Sequence, residues 1–459
     1  MRKAGALLES IFRQTQNMLQ QAFPFQSLNR DVKILFIANI FASFGDGLTI
    51  YLLPLFIRSL EATPENVGFL YSVLTIASAI TIIPGGVLAD KYDRKKIWIL
   101  GWALWVPVPL FFAFATNWTQ LAPAMFLYGV LFSGSASSAY VVRRTQKSKL
   151  ASTFSLLASA WGLGYTFAPA VAGYLAENIG MQWVFFMTTI FYFVTMLMLT
   201  QISSQHPRKP KCKAKTTQTA STNAAFKSRK IFFNSALFAA VMFFLFLVFP
   251  LVPQFLSDVY HYDLAHIGVL GSFTYFGGFI LSLAIGKIGD RYGKTTAISI
   301  AMLCVAFSLG IFISVNNFII LIFSCFLRGA SFPMWAFIGA TIGSIAPSAS
   351  RARWISVAQT IAQMASILAP YAGGVWYANS PQIPFAITIA ASIAIAFLGQ
   401  ISPFKEKHPS IQNSTNRDSR NPTIVCTSTY NAIRNHASNS CREKLTSWAN
   451  VKSATPTRP

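Results

Sequence analysis

Gly86-Val87-Leu88-Ala89-Asp90-Lys91-Tyr92-Asp93-Arg94-Lys95 and, 200 positions further on, Gly286-Lys287-Ile288-Gly289-Asp290-Arg291-Tyr292-Gly293-Lys294 are two versions of one loop. Each has a glycine, an aspartate four residues later, and then a cluster of cations. Each joins two stretches of about 20 mostly apolar residues, the length an α-helix needs to cross a bilayer. The same offset extends outward from the loops. Gly68 falls on Gly268, and Phe126-Leu127-Tyr128-Gly129 on Phe326-Leu327-Arg328-Gly329. One residue out of that register, Ala168-Pro169-Ala170-Val171-Ala172-Gly173 meets Ala369-Pro370-Tyr371-Ala372-Gly373-Gly374. Such parallel repeats imply two similar bundles about an axis along the membrane normal, with a cavity between them.

Twelve apolar stretches follow from hydropathy, at about 33–57, 66–89, 97–116, 121–142, 150–176, 183–202, 231–256, 266–288, 295–315, 317–345, 352–378 and 383–402. All but two of the 37 Lys and Arg fall in alternate gaps between them, together with both chain ends. The positive-inside rule makes that side cytoplasmic. The expected protein is an all-α integral membrane protein of the inner or plasma membrane, with twelve transmembrane helices in two pseudo-symmetric six-helix bundles and cytoplasmic termini. Its expected parts are a cytoplasmic amphipathic segment over 1–30, a six-helix half over 31–202, a basic cytoplasmic linker over 203–230, a second half over 231–402 and a disordered cytoplasmic tail over 403–459. A net charge of +23 would suggest nucleic acid in a soluble protein. With 53% hydrophobic and only 11% charged residues, topology and anionic lipid account for it instead, and no nucleic-acid partner is expected. The five cysteines lack zinc-ligand spacing and leave no extracellular pair for a disulfide, so no metal is expected.

The doubled loop resembles the Gly-x-x-x-Asp-Arg/Lys-x-Gly-Arg-Arg/Lys loop of the major facilitator superfamily, and the resemblance covers roughly residues 30–402. Asp93 stands where that family usually has Gly, whereas the second copy keeps Gly293. The resemblance implies a secondary transporter whose halves rock around a midplane site. It also implies gating by these loops, through Gly86, Asp90 and Arg94 in one and Gly286, Asp290, Arg291 and Lys294 in the other. Asp90 would meet the start of span 11 near Arg351 and Arg353, and Asp290 the start of span 5 near Arg144, closing the cytoplasmic side. The glycines would allow close helix approach. In span 5, Gly164 through Pro169 to Gly173 is similar to a signature the family associates with proton-coupled antiporters, with Ala168 and Ala172 replacing two glycines. Pro370, Gly373 and Gly374 are the span 11 analogues, and all these residues suit helix bending and close packing.

Two charges lie deep in the apolar stretches. Asp46 is 13 residues past Lys33, about 20 Å along a helix, and Arg328 is 11 past Asn317, about 16 Å. An ionised carboxylate at that depth costs about 2.5–3.5 kcal/mol, so Asp46 must be protonated, paired or facing water. Position 246, opposite Asp46 in the repeat, is Phe246, and Tyr128 stands opposite Arg328. The resemblance implies that spans 1 and 10 line the cavity, so one reading is a switchable acid–base pair across it, with proton or substrate competing for Asp46. The alternative is that Asp46 hydrogen-bonds permanently within its own half and Arg328 pairs with a backbone carbonyl. Asn39, Gln359 and Gln363 are candidate hydrogen-bonding residues. Tyr51, Tyr140, Tyr165, Trp161, Tyr275 and Trp335 are candidate aromatic walls suited to lipophilic or cationic solutes. Trp98, Trp118, Trp183 and Trp354, near span ends, read as interfacial anchors.

Together these readings lead to proton-coupled efflux of small lipophilic compounds, with the proton gradient as energy source and no cofactor. Membrane lipids and a small-molecule substrate are the expected partners, and a monomer is expected, with a homodimer as the alternative. The alternatives are an uptake permease for a metabolite or a transport-inactive scaffold. No HExxH, phosphate loop or nucleophile elbow supports an enzyme.

Overall fold

The computed structural model describes residues 29–131, 133–146, 150–206, 224–346 and 351–400, and every regular element among them is helical. The expected N-terminal amphipathic segment and the tail lie almost wholly outside these residues, as does most of the linker. Span 1 comprises Arg30–Ile50 and Leu53–Ser59, span 2 Pro64–Lys91, and span 3 Arg94–Trp105 and Val108–Phe114. Span 4 comprises Leu121–Tyr128 and Ser133–Arg144, span 5 is Leu150–Ile179 and span 6 Met181–Thr200. The second half runs as span 7 (Ala224–Val248, Leu251–Asp258), span 8 (Leu264–Tyr292), span 9 (Lys294–Ser314) and span 10 (Phe318–Arg328, a 3-10 turn Gly329–Ser331, Met334–Ile345). Span 11, Arg351–Asn379, and span 12, Ile383–Leu398, complete it. Span 7 thus begins seven residues before the expected 231, inside the stretch assigned to the linker.

Eight of these are long and apolar enough to qualify as membrane spans on composition alone. Spans 4, 5, 11 and 12 fall outside that criterion because they are interrupted, short, or rich in Ser, Gly, Gln and aromatic residues. Those residue types suit faces that look into protein.

The repeat is visible in how the helices start. Thr63 caps span 2 by accepting from the Asn66 N–H, and Asp263 caps span 8 by accepting from the His266 N–H. At the third and ninth spans the halves diverge. Gly293 turns at φ 97, a left-handed geometry that favours glycine, whereas Asp93 stays at φ −59 and its carboxylate accepts from the Lys95 N–H. The residue that departs from the family pattern is therefore a helix cap.

The two halves meet along two symmetry-related seams, span 5 against span 8 and span 2 against span 11. A side chain at Gly268 would strike the Pro169 carbonyl, and one at Gly173 the Leu264 carbonyl. Equivalently, Gly68 lies against Pro370, and Gly374 against Pro64. These close approaches run from mid-span to the face opposite the motif loops. At the second motif loop the expectation differs, because a Cβ on Gly286 would meet open space. Close packing is instead carried by glycines further along the same helices.

Candidate transport site: a tyrosine-caged carboxyl and two cavities

Span 1 passes unusually close to spans 5 and 6. A Cβ at Gly47 would lie 2.7 Å from that of Ala168, and one at Gly45 would lie 2.8 Å from that of Phe191. Gly164 sits on the Ser43 side chain and the Phe44 backbone. Between these contacts Asp46, only 6% exposed, is brought within reach of three phenols. Tyr192 donates to Oδ1 at 2.7 Å, Tyr128 donates to the same oxygen, and Tyr165 donates to Oδ2. Three donors suit a carboxylate. A protonated carboxyl gains a donor that needs an acceptor, and a phenol that reverses its role from donor to acceptor can supply it.

Arg328 is not the partner of Asp46. Its Nη2 donates to Thr274 Oγ1 at 3.1 Å and to Tyr51 Oη at 3.4 Å. The acid is satisfied wholly within the first half, and the expected acid–base pair across the cavity is replaced by aromatic contact. Tyr165 stacks on Tyr275 of the opposite half with centroids 4.9 Å apart and planes at 18°. Tyr275 in turn meets the edge of Tyr51 at 6.2 Å. A chain of rings thus joins the Asp46 cage to the Arg328 cluster across the interface between the halves.

Two cavities flank this bridge. One of about 280 Å³ lies chiefly in the second half and is lined by Arg328, Trp335, Tyr275, Phe246 and Tyr51 among others. The other, about 360 Å³, lies inside the first half and is lined by Asn39, Trp98, Trp102, Trp105 and Trp161 among others. Of the expected site residues, Trp335 and Arg328 share the first cavity, and Asn39 and Trp161 the second. Gln363 is buried and Gln359 half-buried on span 11, and neither lines either cavity.

A sequence model of the Major Facilitator Superfamily matches residues 35–263 and again 237–451. The chain belongs to the major facilitator superfamily. Within it, the chain is 23% identical to Multidrug resistance protein 2 of Bacillus subtilis (strain 168) over 390 residues, covering 82% of this chain and 96% of that protein. It is 24% identical to the multi-drug resistance efflux pump PmrA of Streptococcus pneumoniae (serotype 4) over 386 residues, covering 80% and 94%. The solved nucleoside transporter NupG superposes with a TM-score of 0.65 at 15% identity, over 81% of this chain and 98% of that one, a likeness of fold alone. The protein is accordingly a multi-pass membrane transporter of this superfamily and not an enzyme.

The superfamily's loop motif is put to a local use in this chain. Arg94 donates to the Ala139 carbonyl of span 4 at 3.3 Å, and Lys294 donates to the Ala340 carbonyl of span 10 at 3.1 Å. The equivalent cation in each half thus ties the third span of that half to the fourth. Asp90 and Asp290 are exposed, and among the described residues neither forms an ion pair. The Arg351 and Arg353 side chains lie outside what is described. Arg144 does not face Asp290, because it pairs with Asp31 at 2.9 Å within its own half. Tyr140, expected as a cavity wall, is fully buried and donates to the same Asp31 at 2.8 Å. Trp98 is likewise buried against Tyr140 rather than anchored at an interface, whereas Trp183 is 56% exposed.

Residues 203–206, the first of the expected basic cytoplasmic linker, are part of this cluster. Ser203 bonds Asp31, and the Gln205 N–H donates to Asp93 at 3.1 Å. Burial alone would raise the Asp93 carboxyl. The Gln205 and Lys95 N–H groups, nearby His206 and the Ser204 hydroxyl outweigh it and hold the group below the usual carboxylate range.

Proposed function

We propose that this transporter is a proton-coupled exporter of small lipophilic or drug-like compounds, placed in the plasma membrane with the motif loops on the cytoplasmic side. The observation that carries the reading is Asp46, a buried carboxyl held by three phenols at the base of the ring stack that joins the halves. Adding or removing a proton there rewires hydrogen bonds that reach Tyr165, and Tyr165 is stacked on the opposite half. Proton binding and the rocking of the halves thereby act on the same contact. The likeness to bacterial multidrug efflux proteins supports the substrate class, and the distribution of Lys and Arg supports the orientation.

The test is dye flux in proteoliposomes with an imposed pH gradient, comparing the native chain with Asp46→Asn. Asparagine keeps the shape and cannot carry the proton. Gradient-driven flux is expected in the native chain and should be lost in the variant. Equal flux in both removes Asp46 from coupling.

A further inference from the structure

We infer that the tryptophan-walled cavity inside the first half is a binding site for a flat lipophilic cation, a multi-ring aromatic with delocalised positive charge. It is lined by spans 1, 3, 4, 5 and 6 of the first half, and no described residue of the second half lines it. Its volume of about 360 Å³ lies in the range of small-molecule sites, roughly 300–1,000 Å³.

The walls fix the chemistry. Four indoles line the cavity, and their ring faces carry negative electrostatic potential that attracts cations. They are held in place: Trp102 meets Trp105 edge-on at 5.5 Å, and Trp105 Nε1 donates to the Val130 carbonyl at 2.9 Å. No Lys, Arg, Asp or Glu is among the described lining residues, and Asn39, Ser133, Ser137, Ser138 and Thr195 provide the polar groups. Behind the wall stands the carboxyl. Trp102 packs on Tyr192 at 5.3 Å and Trp105 on Tyr128 at 5.9 Å, and both of these tyrosines donate to Asp46. The cavity of the second half is the wrong host for a cation because Arg328 lines it.

The inference rests on the export reading only for the identity of the cargo, so binding is measured without transport. The full chain in lipid nanodiscs is titrated with ethidium, a flat aromatic cation, and with its neutral parent phenanthridine, following tryptophan quenching. Gly134 lines the cavity and a Cβ there meets nothing within 4 Å, so the side chain of Gly134→Leu starts into open space of the cavity. Gly134→Leu and Trp161→Leu are each expected to weaken ethidium binding at least tenfold, with Trp335→Leu in the other cavity changing it less than twofold. Phenanthridine should bind at least tenfold more weakly than ethidium.

Native affinity retained in Gly134→Leu and Trp161→Leu, loss confined to Trp335→Leu, absence of ethidium binding, or equal affinity for the neutral ring each overturns the site. Ethidium bound as expected but not driven by a pH gradient leaves the site standing and removes the export reading. Gradient-driven flux undiminished in Gly134→Leu does the reverse.

Discussion

Arg58 and Asp258 occupy equivalent positions of the two halves, 200 residues apart, and face one another at 3.8 Å on the side opposite the motif loops. Two residues related by a two-fold axis can meet only close to that axis. With opposite charges there, the repeat becomes a latch. Arg58, in the last turn of span 1, is the one Lys or Arg at that end of the spans, and Tyr377 adds a hydrogen bond to Asp258 at 3.2 Å. Glu177 reinforces the same face by accepting from the Leu264 N–H at the start of span 8.

Because both partners are about one-third exposed, the pair contributes only about 0.2–1 kcal/mol. Arg58→Asp or Asp258→Arg, which set like charges together, should open this face severalfold, and the double swap should restore it. The readout is the labelling rate of a cysteine placed at Ser257, which lines the adjoining vestibule. Single variants that label no faster than the parent would remove the latch.

Gly68→Ala should destabilise the chain although alanine is the better helix former by about 1 kcal/mol. The new Cβ points into the Pro370 backbone, where a rigid carbonyl cannot yield. Overpacking of about 1–3 kcal/mol outweighs the propensity gain. Thermal unfolding in detergent should show a lower midpoint, whereas Gly286→Ala, facing open space, should be neutral or stabilising.

Tyr192→Phe removes one of three donors to Asp46 without changing shape. A hydrogen bond to a charged group is worth roughly 1.5–3 kcal/mol, so the loss should lower stability by about that amount. Tyr71→Phe is the control, its hydroxyl making only a 3.5 Å contact with the Ile50 carbonyl. Equal melting of the two variants would argue against the three-phenol cage.

Asp93 gives the chain an acid-sensitive joint. Its folded carboxyl sits below the usual value of about 3.9, so its stabilisation is present above that pH and is lost as pH falls through the lowered folded value. Asp93→Asn keeps a capping oxygen and cannot titrate. Unfolding followed from pH 7 to pH 3 should therefore show an acid-side decline in the native chain that is smaller in the variant.

Much of the architecture is legible in the sequence because the bilayer leaves few choices: helix length, loop charge and the doubled loop are all linear features. The depth of Asp46 and Arg328 is linear too. What they touch depends on the rotation of each helix about its axis, and periodicity among uniformly apolar neighbours does not fix it. Asp46 turned towards spans 4 to 6, and Arg328 towards Thr274 and Tyr51. Tyr128 carried a signal, being the repeat partner of Arg328. Tyr192 carried none, standing as one aromatic among several in span 6. Tyr140 drew attention as a possible wall, yet Asp31 at the mouth of span 1 claims its hydroxyl.

Pro169 lacks an N–H and interrupts the ladder of span 5, and the Ala170 N–H beside it donates to Ser272 Oγ of span 8 at 2.9 Å. When the halves part along this seam, that cross-seam hydrogen bond breaks and its polar groups are uncovered in the interior of the membrane. A polar group left unsatisfied there costs several kcal/mol, which hydrocarbon cannot offset. Water must therefore follow the opening seam as it separates, so wetting of the cleft is part of the motion itself and dehydrating conditions will hold the seam shut.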